Sequence, residues 1–120
     1  FKGSWLALWL QQLGAEVIGY ALEPDTTPSH WELLNLNCRH YVDDVRNAAS
    51  IERVVKEIKP DLIFHLAAQP LVRLSYEQPV DTWSTNVVGT VNLLNAAKNI
   101  KTEGIRLYCT KQKTSTIEAV

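Results

Sequence analysis

Helix-like and strand-like apolar patterns alternate along almost the whole chain, and no other feature limits its fold as tightly. Residues 4–13 place Trp5, Leu6, Leu8, Trp9, Leu10 and Leu13 on a broad apolar face with Gln11 and Gln12 outside it, the spacing of an amphipathic helix. Gly14 follows as a stop. Residues 16–21 (EVIGYA) read as a short strand. In the loop EPDTTPSHWELLNLN, Ser29 is expected to cap a short helix over HWELLNL. Residues 39–45 form a weaker strand candidate that contains the acidic pair Asp43 and Asp44. A helix capped by Ser50 comes next, with Ile51, Val54, Val55 and Ile58 at one-face spacing and Pro60 ending it. The apolar run Leu62, Ile63 and Phe64 predicts a strand buried on both faces. A long helix over 79–99 carries Val80, Trp83, Val87, Val91 and Leu94, and 104–109 is a last strand.

Strands that alternate with helices imply a parallel sheet covered by helices on both faces. The expected fold class is therefore α/β, a doubly wound parallel sheet. The pattern opens on a helix, so the expected sheet is incomplete, lacking its first strand before residue 1 and a C-terminal part. That strand would be central, and its neighbours would each expose an apolar edge, so the isolated chain is expected to be unstable or to associate.

Composition narrows the function classes. The chain has 120 residues, 46% hydrophobic and 21% charged, with a net charge of −1, which points away from nucleic acid and anionic membrane partners. Its run WLALWL is far short of the ~20 residues a membrane span needs. Cys38 and Cys109 are isolated and have no histidine at metal-ligand spacing. They fit a reducing cytoplasm and no metal site.

In a doubly wound sheet, ligands sit at the carboxyl ends of the strands. Gly3 has two readings there: a glycine that lets a helix pack closely, or the last glycine of a phosphate-binding turn. Asp44 could accept from an adenine amino group while Val45 offers a backbone N–H, or it could be a solvated acid near a helix start. His65, inside an apolar run, reads as a hydrogen-bonded core residue. The small pair Ala67 and Ala68 would let a cofactor lie against the backbone, and Gln69, Pro70 and Arg73 begin a loop over it. Asn86 and Gly89 are poor helix formers within a helical pattern, a conflict that marks a packing or functional need. Asn92 and Asn95 read as exposed, and the four tryptophans as core or interface mass.

Taken together, FKGSWLALWL, VIGYAL, DDVRN, PDLIFHLAAQPLVRLSYEQP and TNVVGTVNLLNAAK resemble the extended short-chain dehydrogenases acting on nucleotide sugars, in their CDP-glucose 4,6-dehydratase branch. The resemblance covers residues 1–100 and implies a Rossmann-type NAD-binding domain there, with 101–120 as an atypical tail. It makes Phe1, Lys2 and Gly3 the end of the glycine-rich pyrophosphate turn. Asp44 and Val45 become the adenine contact, and Leu66, Ala67, Ala68 and Gln69 the lining of the ribose and nicotinamide side. Asn86 becomes the asparagine holding the active-site backbone, and Arg73 a substrate-side residue. The cofactor implied is NAD; no arginine follows the strand 16–21 to favour NADP. The substrate implied is CDP-glucose, converted to a 4-keto-6-deoxy sugar nucleotide for deoxysugar synthesis by a cytoplasmic, homo-oligomeric enzyme.

Such enzymes need a Tyr-x-x-x-Lys pair, and none of Tyr20, Tyr41, Tyr76 and Tyr108 has a lysine four residues on. Thr110 aligns with a catalytic threonine, but Gln112 stands where an aspartic acid is expected, and an amide cannot give the proton that assists water loss. With TKQKTSTIEAV lacking any apolar period, the tail is expected to be a truncated or frame-shifted reading, and the 120 residues inactive by themselves. Three other readings stay open: another NAD-dependent nucleotide-sugar dehydratase or epimerase, a non-catalytic dinucleotide-binding or interaction module, and a product with no function of its own.

Overall fold

A computed structural model describes residues 1–100 and the strand Arg106–Cys109. The chain divides into two compact units, Phe1–Asp44 and Val45–Val120.

The first unit contains α1 (Lys2–Gln12), β1 (Ile18–Ala21), α2 (His30–Leu34) and β2 (Arg39–Val42). β1 and β2 pair in parallel from Ile18 opposite Arg39 to Ala21 opposite Val42. The Asp43 N–H continues the ladder to the Ala21 carbonyl at 3.0 Å. Gly14 lets the chain leave α1: its φ of +85° is left-handed, and its N–H donates to the Gln11 carbonyl. α2 starts on the expected cap. The Ser29 Oγ accepts from the Glu32 N–H at 3.1 Å, and Glu32 Oε2 accepts from the Ser29 N–H at 2.7 Å, a reciprocal box that satisfies two otherwise orphaned donors. The buried side of α1 differs from the expected one. Ser4 and Ala7 are buried, while Trp5, Trp9 and Leu13 are 50%, 61% and 68% exposed. The small residues let α1 sit close to the rest of its unit, and the large ones stand outward.

The second unit contains α3 (Ala48–Ile58), β3 (Leu62–His65), α4 (Val72–Glu77), α5 (Pro79–Trp83), a π turn (Ser84–Val88), α6 (Gly89–Lys98) and β4 (Arg106–Cys109). β3 and β4 pair in parallel, Leu62 opposite Arg106 through His65 opposite Cys109. Its core is the seam where α3 meets α6, with Ile51, Val54, Val55 and Ala96 buried. Burying each larger side chain there contributes about 1.5–3 kcal/mol. α3 ends at Ile58, where Lys59 takes a left-handed φ of 49° ahead of Pro60.

Three local expectations are corrected. Asn47, rather than Ser50, caps α3, its Oδ1 accepting from the Ser50 N–H at 3.2 Å. Ser50 lies in the first turn, buried, and its Oγ has no partner among the described residues. Leu62 is 48% exposed, so β3 is not covered on both faces. A helix, α4, occupies the segment read as a loop; the helix expected over 79–99 is present and continuous, with the π turn as a local widening between α5 and α6. The apolar face Val80, Trp83, Val87, Val91 and Leu94 is exposed, because α6 turns its small residues, Gly89 and Ala96, inward.

The tail 101–120 lies outside the described residues except for β4. Among the described residues no helix is long and apolar enough to cross a membrane, and no group of three His, Cys, Asp or Glu could hold a metal.

Candidate functional site

In the first unit, Phe1 precedes α1, and Lys2 and Gly3 form its exposed first turn. The first intrahelical bond is Trp5 N–H to Phe1 O at 3.3 Å, so the amides of Lys2, Gly3 and Ser4 have no partner within the helix. Donors and dipole at such a terminus favour an anion. The turn is tied down from below. Ser4 Oγ donates to the Phe1 carbonyl at 2.7 Å and lies 2.6 Å from His30 Nδ1. Its one proton is committed to the carbonyl, so His30 is the donor through Nδ1–H. The His30 ring also packs on Phe1 and Trp5, with centroids 4.9 and 4.8 Å away. Asp44, half-buried beyond β2, accepts at its backbone carbonyl from the Tyr20 hydroxyl at 3.0 Å.

In the second unit, the segment following β3 is held by one side chain. Asn86, inside the π turn, accepts from the Gln69 N–H at 2.7 Å and donates to the Gln69 carbonyl at 3.1 Å. An amide side chain thus pairs with both polar groups of one backbone residue. The Gln69 side chain is also spent internally, donating to Thr82 Oγ1 at 2.9 Å and the Leu71 carbonyl at 3.2 Å, and accepting from the Leu71 N–H at 2.6 Å. Leu66 and Ala67 are half-buried and Ala68 is exposed, so the backbone at the small pair Ala67 and Ala68 can be approached closely.

His65 is the hydrogen-bonded core residue the sequence implied. It is 8% exposed, and its Nε2 lies 2.9 Å from Thr90 Oγ1. Thr90 gives its hydroxyl proton to the Asn86 carbonyl at 2.7 Å, so His65 donates from Nε2–H and is the neutral tautomer with that proton. Burial pushes its pKa below the ordinary imidazole value. Burial likewise raises the Cys38 thiol in the first unit, keeping it protonated.

Val45 packs against Gly89, where an added Cβ would lie 2.6 Å from Val45 Cγ2. The Asn92 amide donates to the carbonyls of Val45 and Arg46, both at 3.1 Å. Asn92 had been expected on the exposed side. A helical wheel that starts at Gly89 puts Asn92 one turn along the same side, a signal the π turn hides from any count begun at residue 79. Arg73 is likewise not in a loop: it sits on α4, 92% exposed, bonded to Glu77 Oε1 at 3.0 Å. Thr110 lies outside the described residues. An open apolar hollow walled by Pro79, Val80, Trp83, Ser84 and Val88 includes none of the predicted site residues.

The family model described as GDP-mannose 4,6 dehydratase matches residues 1–117. The chain belongs to this family. A CDP-glucose 4,6-dehydratase of Salmonella typhimurium is 52% identical over 102 residues, covering 83% of this chain and 28% of that protein. Two solved structures are similar to the chain in three dimensions. A UDP-glucose 4-epimerase of Thermus thermophilus in complex with NAD is 30% identical, with a TM-score of 0.73, over 82% of this chain and 30% of that one. A UDP-glucose 4-epimerase of Thermotoga maritima, solved with UDP-glucose, is 27% identical, with a TM-score of 0.77, over 89% of this chain and 34% of that one. The fold is therefore the α/β, Rossmann type of this dehydratase family, in a chain spanning 28–34% of these relatives' lengths.

Proposed function

We propose that these residues form the dinucleotide-binding part of an NAD-dependent nucleotide-sugar dehydratase acting on CDP-glucose. The observation that carries this reading is the two-bond grip of Asn86 on the Gln69 backbone, which fixes the segment after β3. In the reading, the amides of Lys2, Gly3 and Ser4, which have no partner within α1, take the pyrophosphate. The Asp44 carboxylate accepts from the adenine amino group and the Val45 N–H donates to the ring. Leu66, Ala67, Ala68 and Gln69 lie along the ribose and nicotinamide side. When bound, NAD supplies the hydride acceptor. The proton-transferring Tyr-x-x-x-Lys pair is not among these 120 residues, so they hold and orient the cofactor and do not by themselves complete the reaction. The domain expectation of 1–100 as the NAD-binding part, the cytoplasmic location and the homo-oligomeric whole enzyme belong to the same reading.

Likeness to the Salmonella dehydratase favours CDP-glucose. Likeness to the UDP-glucose 4-epimerases favours a second reading, the same cofactor part in an epimerase. Equilibrium binding of NAD and NADP to the chain, followed by calorimetry beside a melting curve, tests the common part. NAD is expected to bind and NADP to bind more weakly. A cooperatively folded chain that binds neither rejects the reading in favour of an interaction module. Product analysis with CDP-, UDP-, dTDP- and GDP-glucose, using a natural relative-length form that includes the Tyr-x-x-x-Lys pair, then separates dehydratase from epimerase.

A further inference from the structure

We infer that Asn92 is a positioning residue for the adenine end of the dinucleotide, acting through the turn at Val45 and Arg46. The inference rests on the reading of Asp44 and Val45 given above. An asparagine amide has two donor hydrogens, and here each has its own backbone acceptor, the Val45 carbonyl and the Arg46 carbonyl, both at 3.1 Å. Two consecutive carbonyls held by one NH₂ group fix the peptide planes between them. Val45 is therefore immobilised on its carbonyl side, while its own N–H makes no hydrogen bond among the described residues. That N–H is the donor the adenine ring would need.

The helix is also brought close enough for this grip. Gly89, one turn before Asn92, leaves no room for a Cβ against Val45, so any larger residue would move the turn away from the amide. Arg46 adds a tether to Asp81 at 3.4 Å, but both side chains are well exposed and the pair contributes little. The amide of Asn92 holds the turn from its carbonyl side. Its value to binding is preorganisation: the turn does not have to be ordered when the ligand arrives.

The adenine ring gives a specific readout. Nicotinamide hypoxanthine dinucleotide has a carbonyl oxygen in place of the amino group and a hydrogen on N1. It loses both the donor for Asp44 and the acceptor for the Val45 N–H, and differs from NAD in nothing else. Calorimetry with both dinucleotides is expected to show the unmodified chain preferring NAD by about tenfold or more. In Asn92→Ala the preference is expected to fall by about threefold or more, the share due to Asp44 remaining, with NAD binding weakened and hypoxanthine dinucleotide binding nearly unchanged. A purely structural asparagine would lower both affinities together and leave the ratio alone. If Asn92→Ala does not fold, Asn92→Asp decides by the same ratio, since it keeps the side-chain shape and removes both donors. An unchanged ratio in a folded variant overturns the inference and leaves the proposed function intact. An unmodified chain that binds neither dinucleotide overturns the proposed function and this inference together.

Discussion

Gly89 is the residue at which a single methyl group should be felt most. Replacing it by alanine adds a Cβ 2.6 Å from Val45 Cγ2, and overpacking of that kind costs about 1–3 kcal/mol. Alanine recovers about 1 kcal/mol through its better helix propensity, so the net expectation is a lower melting temperature, read by calorimetry; an unchanged or higher one would show that the turn yields. Asn86→Ala removes two bonds and leaves a half-buried N–H and C=O of Gln69 exposed to loss of partners. Denaturant unfolding is expected to show a loss of about 1–3 kcal/mol. His65 gives a pH signature. Its folded pKa is depressed by burial, whereas in the unfolded chain it titrates near ~6.5. Between those two values the unfolded state binds more protons, so stability is complete above ~6.5 and declines as pH falls through that value towards the folded pKa. Unfolding free energies measured from about pH 7.5 down to about pH 5 should fall, and His65→Gln should flatten the curve. A variant as steep as its parent would assign the slope elsewhere.

At the scale of elements, what could be read from the sequence was whatever is encoded locally. Ser29 and Glu32 stand three apart and make their box within one turn, so α2 was legible. Ser29→Ala should cost about 1 kcal/mol and speed amide exchange over His30–Leu34. Unchanged exchange there would mean that packing alone holds the helix. α3 was legible from its one-face apolar spacing, although its start was misplaced because Asn47 and Ser50 are both good capping residues and only the fold chooses between them. Asn86 and Gly89 announced themselves by being poor helix formers in a helical pattern, and both prove to meet other segments. Asn92 did not, since its acceptors lie 46 and 47 residues away and the π turn shifts the phase of the helix between residues 83 and 89. The tryptophan-rich face of α1 misled for a different reason. Hydrophobic spacing identifies a helix, but which of two apolar sides is buried depends on how small the other side is, and Ser4 and Ala7 allow the closer approach.

At the scale of the whole molecule, much apolar surface remains outside. Val80, Trp83, Val87, Val88, Val91 and Leu94 are exposed in one unit, and Trp5, Trp9 and Leu13 in the other. Patches of this kind favour association. Sedimentation equilibrium of the chain should therefore show an average mass rising with concentration, and Trp83→Glu should reduce the rise; a monomer at every concentration would contradict this. The strand pairs also differ in when they can be made. β1 and β2 both lie within Phe1–Asp44, and a ribosome delivers the chain from its N-terminus. Their parallel register can be settled while Val45 and everything after it is still being synthesised. β3 has no such privilege, since its partner, Arg106–Cys109, emerges only after α4, α5 and α6 have been made. Through that interval the nascent chain carries β3 without β4.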